Sequence, residues 1–303
     1  MRARFLRTAI LVALGVLLVA GCAPEPAMPE APTEAPLRVA ASSSARPLIS
    51  ALGEAWLAMG QGIPLDLWET NSALALSRLG AGEADLAATC WKPQEGTPLP
   101  PGVADGWHWT PFAYDGIVFI VHPSNPVERL ALAQVRDIFA GRVQTWLELG
   151  GDAERVVQVS REEGSGTRWD FEALVMQGRR VTPAALVMPG GRAVLEFVGE
   201  NPGAIGYVAL AEVSPQVKAL TLEGVSPSLE MVRDGRYPLP RLCYLVLPGR
   251  PSLLAEQFVR FATSQEGQEA VARALPAVRL TWGKRPPQSK ILDEAITRFQ
   301  MCW

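Results

Sequence analysis

Three short stretches of this 303-residue chain gather small hydroxyl residues beside glycine, alanine or asparagine: Ala41-Ser42-Ser43-Ser44-Ala45, Asn71-Ser72, and Arg161-Glu162-Glu163-Gly164-Ser165-Gly166-Thr167. Each sits where a strand-like run gives way to an apolar-periodic one, so each reads as a strand end leading into a helix start. Backbone N–H groups at a helix start have no partner within the helix, and the dipole adds partial positive charge there, so the chemistry implied is the capture of an anion. The third stretch says most. Ser165, Gly166 and Thr167 open a run carrying Phe171, Leu174 and Val175, and Gly164 and Gly166 let the backbone come close to a ligand. Arg161 stands just upstream, where its planar fork can hold two oxyanion oxygens, with Glu163 placed to steady it. Any one loop is better read as a helix cap, and Arg161 as half of a surface ion pair with Glu162 or Glu163. Three such loops in one chain, one of them joining Arg to Ser-Gly-Thr, favour a binding site.

Other chemistries fit poorly. His108 and His122 are the only histidines and lack metal-ligand spacing. The Ser165 loop is not a Gly-x-Ser-x-Gly elbow and has no evident histidine partner, and no Lys precedes Thr167 as a nucleotide P-loop requires. Trp146 reads as core and Cys90 as a small buried residue. No catalytic group, cofactor or metal is expected.

The elements that must position these loops are strand-like runs at Leu37–Ala41, Leu65–Trp68, Ala84–Ala88, Ile117–Val121, Val156–Ser160, Ala204–Val208 and Leu242–Leu247. They alternate with helical spacing such as Ile49, Leu52, Trp56 and Met59, which predicts an α/β fold of largely parallel sheets flanked by helices. Ligands in such sheets sit beyond the carboxyl ends of the strands.

Arg2, Arg4 and Arg7 precede an apolar run from Ala9 to Ala20 and then Gly21-Cys22, the shape of a lipoprotein-type signal peptide over residues 1–21. Cys22 is then the lipidation site, and the Ala/Pro/Glu/Thr stretch over 22–36 is a tether. The chain is expected to be an exported cell-envelope protein that meets the membrane only through that anchor. With Cys22 lipidated, Cys90, Cys243 and Cys302 remain, so at most one internal pair forms, and Cys243 with Cys302 is favoured. The net charge of −3 without a basic cluster argues against nucleic acid as a partner.

Several segments resemble the phosphate-binding subunit of bacterial phosphate ABC transporters over Leu37 to Ala277. They are SSSARPL at Ser42, AYDGIVFIVHPSNP at Ala113, VRDIFAGRVQTWLELGG at Val135, SREEGSGTRWDFE at Ser160, NPGAIGYV at Asn201, DGRYPLPR at Asp234 and ATSQEGQE at Ala262. The resemblance implies a class II periplasmic-binding-protein fold of two lobes, 37–116 with 241–303 and 117–240. Two crossing strands join them, after Asp115-Gly116 and near Tyr237 to Arg241. It also implies a monomer that hands an oxyanion to ABC permease subunits. By the family's pattern Ser43, Ser44 and Ser72 serve the ligand from one lobe, and Arg161, Ser165, Gly166 and Thr167 from the other; Thr89, which can accept a hydrogen bond, is a further candidate contact. This chain departs from the pattern at Asn71-Ser72-Ala73-Leu74, where the family is richer in glycine. It departs again at Cys90, where some members carry an Asp that accepts the phosphate proton's hydrogen bond. Asp115 is a candidate for the missing charge, with a structural role capping the hinge as the alternative. The rival ligands are sulfate, molybdate and tungstate; a phosphatase-like enzyme and a non-transport sensor are the rivals of other classes.

Overall fold

The computed structural model describes residues 35–60, 63–94 and 100–275; the expected signal peptide, Cys22, most of the tether and Cys302 lie outside the described residues. The strands are β1 (Leu37–Ser42), β2 (Leu65–Thr70), β3 (Leu86–Thr89), β4 (His108–Val121), β5 (Arg129–Leu130), β6 (Val157–Arg161), β7 (Leu186–Met188), β8 (Ala204–Ala209), β9 (Lys218–Ala219), β10 (Thr221–Leu222) and β11 (Pro240–Leu247). The helices are α1 (Arg46–Ala58), α2 (Ser72–Gly80), α3 (Leu132–Phe139), α4 (Gly166–Phe171), α5 (Gly191–Glu200), α6 (Leu229–Arg233), α7 (Leu253–Thr263) and α8 (Gln265–Ala274). α4 runs on into a π-helical turn over Glu172–Met176.

One mixed sheet runs in the order β2-β1-β3-β11-β4-β8-β6-β7, with β9 also on β4. β1 is parallel to β2 and β3, and β6 to β7 and β8, whereas β11 and β4 are antiparallel to their neighbours. β4 changes partner along its length: residues up to Gly116 pair with β11, and Ile117–Val121 pair with β8. A single strand thus serves both halves of the sheet, and the change falls at Asp115-Gly116.

β4 is longer than the expected Ile117–Val121 because its first half, with Pro111 and few aliphatic residues, gives no strand signal in sequence. The register explains how proline fits there. Cys243 pairs with Ala113 and Tyr244 with Pro111, so the ladder slips at Phe112. A residue without an N–H is tolerated at such an irregularity. α1 buries Leu48, Ile49 and Leu52 as its spacing predicts, while Met59 lies just past its end and is exposed. Trp146 is core, and its indole N–H reaches Gly203 O at 2.9 Å.

The cysteine pairing corrects the expectation. Cys243 is bonded to Cys90 and not to Cys302. β3 and β11 are antiparallel neighbours with Thr89 opposite Tyr244, so residues 153 apart in sequence meet at the next rung. Cys90 is therefore no free thiol. A cross-link closing so long a loop typically stabilises by about 2–4 kcal/mol. Thermal unfolding with and without a dithiol reductant is expected to show a drop in Tm on the order of 5–15 °C; superimposable melts would remove the bond from the stability of the fold.

Candidate functional site

The three hydroxyl loops converge. β1 and β2 end in parallel register, β3 ends beside β1, and β6 delivers the Arg161 loop against them. Ser43, Ser44, Ser72, Thr89, Arg161, Ser165, Gly166 and Thr167 are all buried, and all lie at strand ends, at helix starts or in the turns between them. The contacts between the loops are specific. Arg161 Nη2 donates to Ser43 Oγ at 2.9 Å, Gly166 N donates to Ser72 Oγ at 3.2 Å, and Ala73 N donates to Gly164 O at 3.0 Å. Thr89 Oγ1 takes the Trp91 N–H at 3.2 Å and donates to Ser72 Oγ at 2.8 Å.

The glycines are required by these approaches. A Cβ on Gly166 would stand 2.4 Å from Trp91 Cβ and 2.6 Å from Ser72 Oγ. Gly164 has φ +83°, and its Cβ would meet Asn71 Oδ1 at 2.9 Å. In the second loop, where the sequence is poor in glycine, Asn71 caps α2 by accepting from Leu74 N at 2.9 Å, and Ser72 Oγ is left for the site. Ser165 does act as a cap, accepting from Arg168 N at 3.4 Å, while α1 has Ala45 at its N-cap position and no side-chain cap.

Arg161 is 1% exposed. Its carboxylate partner is Glu162, at 3.0 Å from Nε and 3.2 Å from Nη2, and not the expected Glu163, whose carbonyl instead accepts from Asn71 Nδ2 at 3.4 Å. Nη1 has no hydrogen-bond partner among the described residues, although it is buried. A donor left over on a buried guanidinium amid hydroxyls is costly unless an acceptor comes to it. β6 is seated by Tyr207, whose hydroxyl bonds Ser160 Oγ at 2.9 Å and whose ring stacks on Phe171 of α4 at 4.2 Å. Burial raises the Tyr207 pKa to about 12, so that hydroxyl keeps its proton.

Asp115 lies opposite Arg241 in the β4–β11 ladder. Its Oδ1 accepts from Leu210 N at 2.9 Å and its Oδ2 from Arg241 Nε at 2.7 Å, with Nη2 at 2.7 Å but off the hydrogen-bonding direction. Both oxygens are occupied where the sheet changes partner, which is the capping role that sequence left as the alternative. Arg241 also donates from Nη1 to Thr167 Oγ1 at 3.1 Å and Asp170 Oδ2 at 3.4 Å. Burial raises the Asp170 pKa to about 6, partly offset by Arg241. Sequence reasoning missed Arg241 and Asp170; only the cross-strand register reveals the first. Cys90, Cys243 and Asp115 cluster here, yet the sulfurs are joined and the carboxylate is ion-paired, so the group offers no free metal ligand.

An aromatic pair spans the same junction: Trp91, next to Cys90, and Trp169 of α4 have ring centroids 4.3 Å apart.

Comparison with known proteins gives the family. The PBP superfamily domain matches residues 26–266. The chain belongs to that superfamily. It is 25% identical to the phosphate-binding protein PstS of Bacillus subtilis over 237 residues, 78% of this chain and 77% of that protein. A Clostridium perfringens protein named as a phosphate ABC transporter substrate-binding protein, solved with bound phosphate, is 29% identical at a TM-score of 0.74, covering 81% of this chain and all of that one. An ABC-type phosphate transport receptor from Vibrio cholerae shares the fold at 24% identity and a TM-score of 0.63, over 78% of this chain and 98% of that one. The chain is a PstS-like member with the two-lobe α/β fold of periplasmic binding proteins, the class expected from the sequence.

Proposed function

We propose that this chain is an exported, lipid-anchored binding protein that takes up inorganic phosphate between its two lobes and presents it to the permease subunits of an ABC importer. The observation that carries this reading is Arg161: buried, held by Glu162 and Ser43, with Nη1 unbonded among hydroxyls from separate helix starts. In this scheme Ser43, Ser44, Ser72 and Thr89 belong to the first lobe, residues 37–116 with 241–303. Arg161, Ser165, Gly166 and Thr167 belong to the second, 117–240. Closing the lobes lets both sets replace the hydration shell of one small ion, and the ion favours the closed form by its differential affinity alone. The phosphate named for the relatives supports the choice of ion. The relatives are named as phosphate-binding and substrate-binding proteins, and in this reading the protein acts as a carrier.

Titration calorimetry with phosphate, sulfate, molybdate and tungstate tests the assignment, and tighter binding of any of the others than of phosphate would end it. The anchor rests on Cys22 after Ala20-Gly21. Metabolic labelling with a lipid analogue is expected to mark the wild-type chain and not Cys22→Ser.

The tryptophan pair joins groups from both lobes in this scheme, so Trp169→Ala should weaken phosphate binding modestly. The expected loss is about 1 kcal/mol, roughly fivefold, through faster release. An unchanged dissociation rate would mean the pair plays no part in closure.

A further inference from the structure

Arg161 and Arg241 each hold a hydroxyl from a distant segment of the chain. Arg161, at the end of β6, donates from Nη2 to Ser43 Oγ just past β1. Arg241 of β11 donates from Nη1 to Thr167 Oγ1 in the first turn of α4. Under the proposed two-lobe division the first contact runs from the second lobe to the first, and the other runs the opposite way. The pairs are crossed. A guanidinium only donates, so each hydroxyl is the acceptor and its own proton stays free. Neither Ser43 Oγ nor Thr167 Oγ1 has a second partner among the described residues, and both residues are buried. A hydroxyl that accepts from a cation is also a stronger donor, because hydrogen bonds in a chain polarise one another where water does not screen them.

Arg241 has a fixed seat. It lies opposite Asp115, next to the point where β4 changes partner. Its Nε donates to Asp115 Oδ2 at 2.7 Å, which sets the plane of the guanidinium and leaves Nη1 between Thr167 Oγ1 at 3.1 Å and Asp170 Oδ2 at 3.4 Å. The side chain is only 6% exposed. Thr167 and Asp170 both belong to α4, whose first residue is Gly166. A side chain on the crossing strand thus grips the element that carries the Ser165-Gly166-Thr167 loop. Lysine at this position keeps a charge for Asp115 but has no planar fork with which to reach Thr167 as well.

We propose that Arg241 is a positioning residue of the anion site: it turns the Thr167 proton toward the ligand and couples the crossing strand β11 to the Ser165-Gly166-Thr167 loop. The inference rests on reading the Arg161 cluster as a phosphate site. The charge of Arg241 acts on the ion through the hydroxyl without touching the ion itself. An ion held by Ser43 and Thr167 together keeps both crossed contacts formed. Loss of the Arg241 contact therefore speeds release of the ion more than it slows capture.

The test is a double-mutant cycle on the full chain, with phosphate affinity read by calorimetry and release rate by stopped flow, for wild type, Arg241→Lys, Thr167→Val and the two combined. Arg241→Lys is expected to weaken phosphate binding by about tenfold, mostly through release. In the Thr167→Val background the same change is expected to alter affinity by less than about twofold, because the hydroxyl it acts through is gone. A residue that only supports the fold would cost the same factor in both backgrounds. Equal factors overturn the proposal, as does an Arg241→Lys protein that binds phosphate as the wild type does. If Arg241→Lys does not fold, the combined Asp115→Asn and Arg241→Gln protein, which neutralises both members of the buried pair, takes its place in the cycle with Asp115→Asn alone as its reference. Phosphate binding that Arg161→Ala removes and Arg241→Lys leaves intact sinks this inference while the site stands. A wild type that binds no phosphate sinks the phosphate reading and this inference with it.

Discussion

Arg161→Ala is expected to remove most of the affinity for phosphate, by about 2–5 kcal/mol, which is a factor between roughly thirty and several thousand. The size follows from burial. In a site shut off from water, a guanidinium faces the ion at low dielectric, and its loss leaves the ion's charge to neutral donors alone. The effect on the fold should be smaller, because Glu162 keeps 20% of its side-chain surface exposed and regains water when its partner goes. Calorimetry on Arg161→Ala beside wild type reads the first quantity, and a thermal melt without ligand reads the second. Wild-type binding by a well-folded Arg161→Ala protein would displace the site from this cluster altogether.

Asp115→Ala is expected to act on stability instead, with a loss of about 3–5 kcal/mol. The Arg241 side chain is only 6% exposed, and removing its carboxylate leaves a buried charge with Asp170 as its remaining ion-pair partner, at 3.4 Å. The same change orphans Leu210 N. Denaturant unfolding should show a lower midpoint with an unchanged m-value. A shift worth less than about 1 kcal/mol would mean that Asp170 and water carry Arg241 well enough. The milder Asp115→Asn should move stability more than the phosphate-to-sulfate preference, since both of its oxygens already have partners.

What sequence made legible here was local. Alternating strand and helix periods located most strands to within a few residues, and hydroxyls at helix starts located the loops that converge on Arg161. What it hid was set by pairing between distant segments. The Asp115–Arg241 contact and the Cys90–Cys243 bond both follow from β11 lying between β3 and β4, and no spacing along the chain encodes that order. Elimination among cysteines therefore favoured the wrong partner for Cys243. Spacing alone pointed to Glu163 as the partner that steadies Arg161. The turn into Gly164 gives the carbonyl of Glu163 to Asn71 and the carboxylate of Glu162 to the arginine.

The shared strand β4 has a mechanical consequence. A molecule whose halves share one hydrogen-bonded strand has no slack linker at that crossing; any relative rotation there is taken up by the backbone near Gly116 and its β11 neighbour Pro240. Under the proposed closure on an ion, no slack segment has to be ordered at that crossing when cargo arrives.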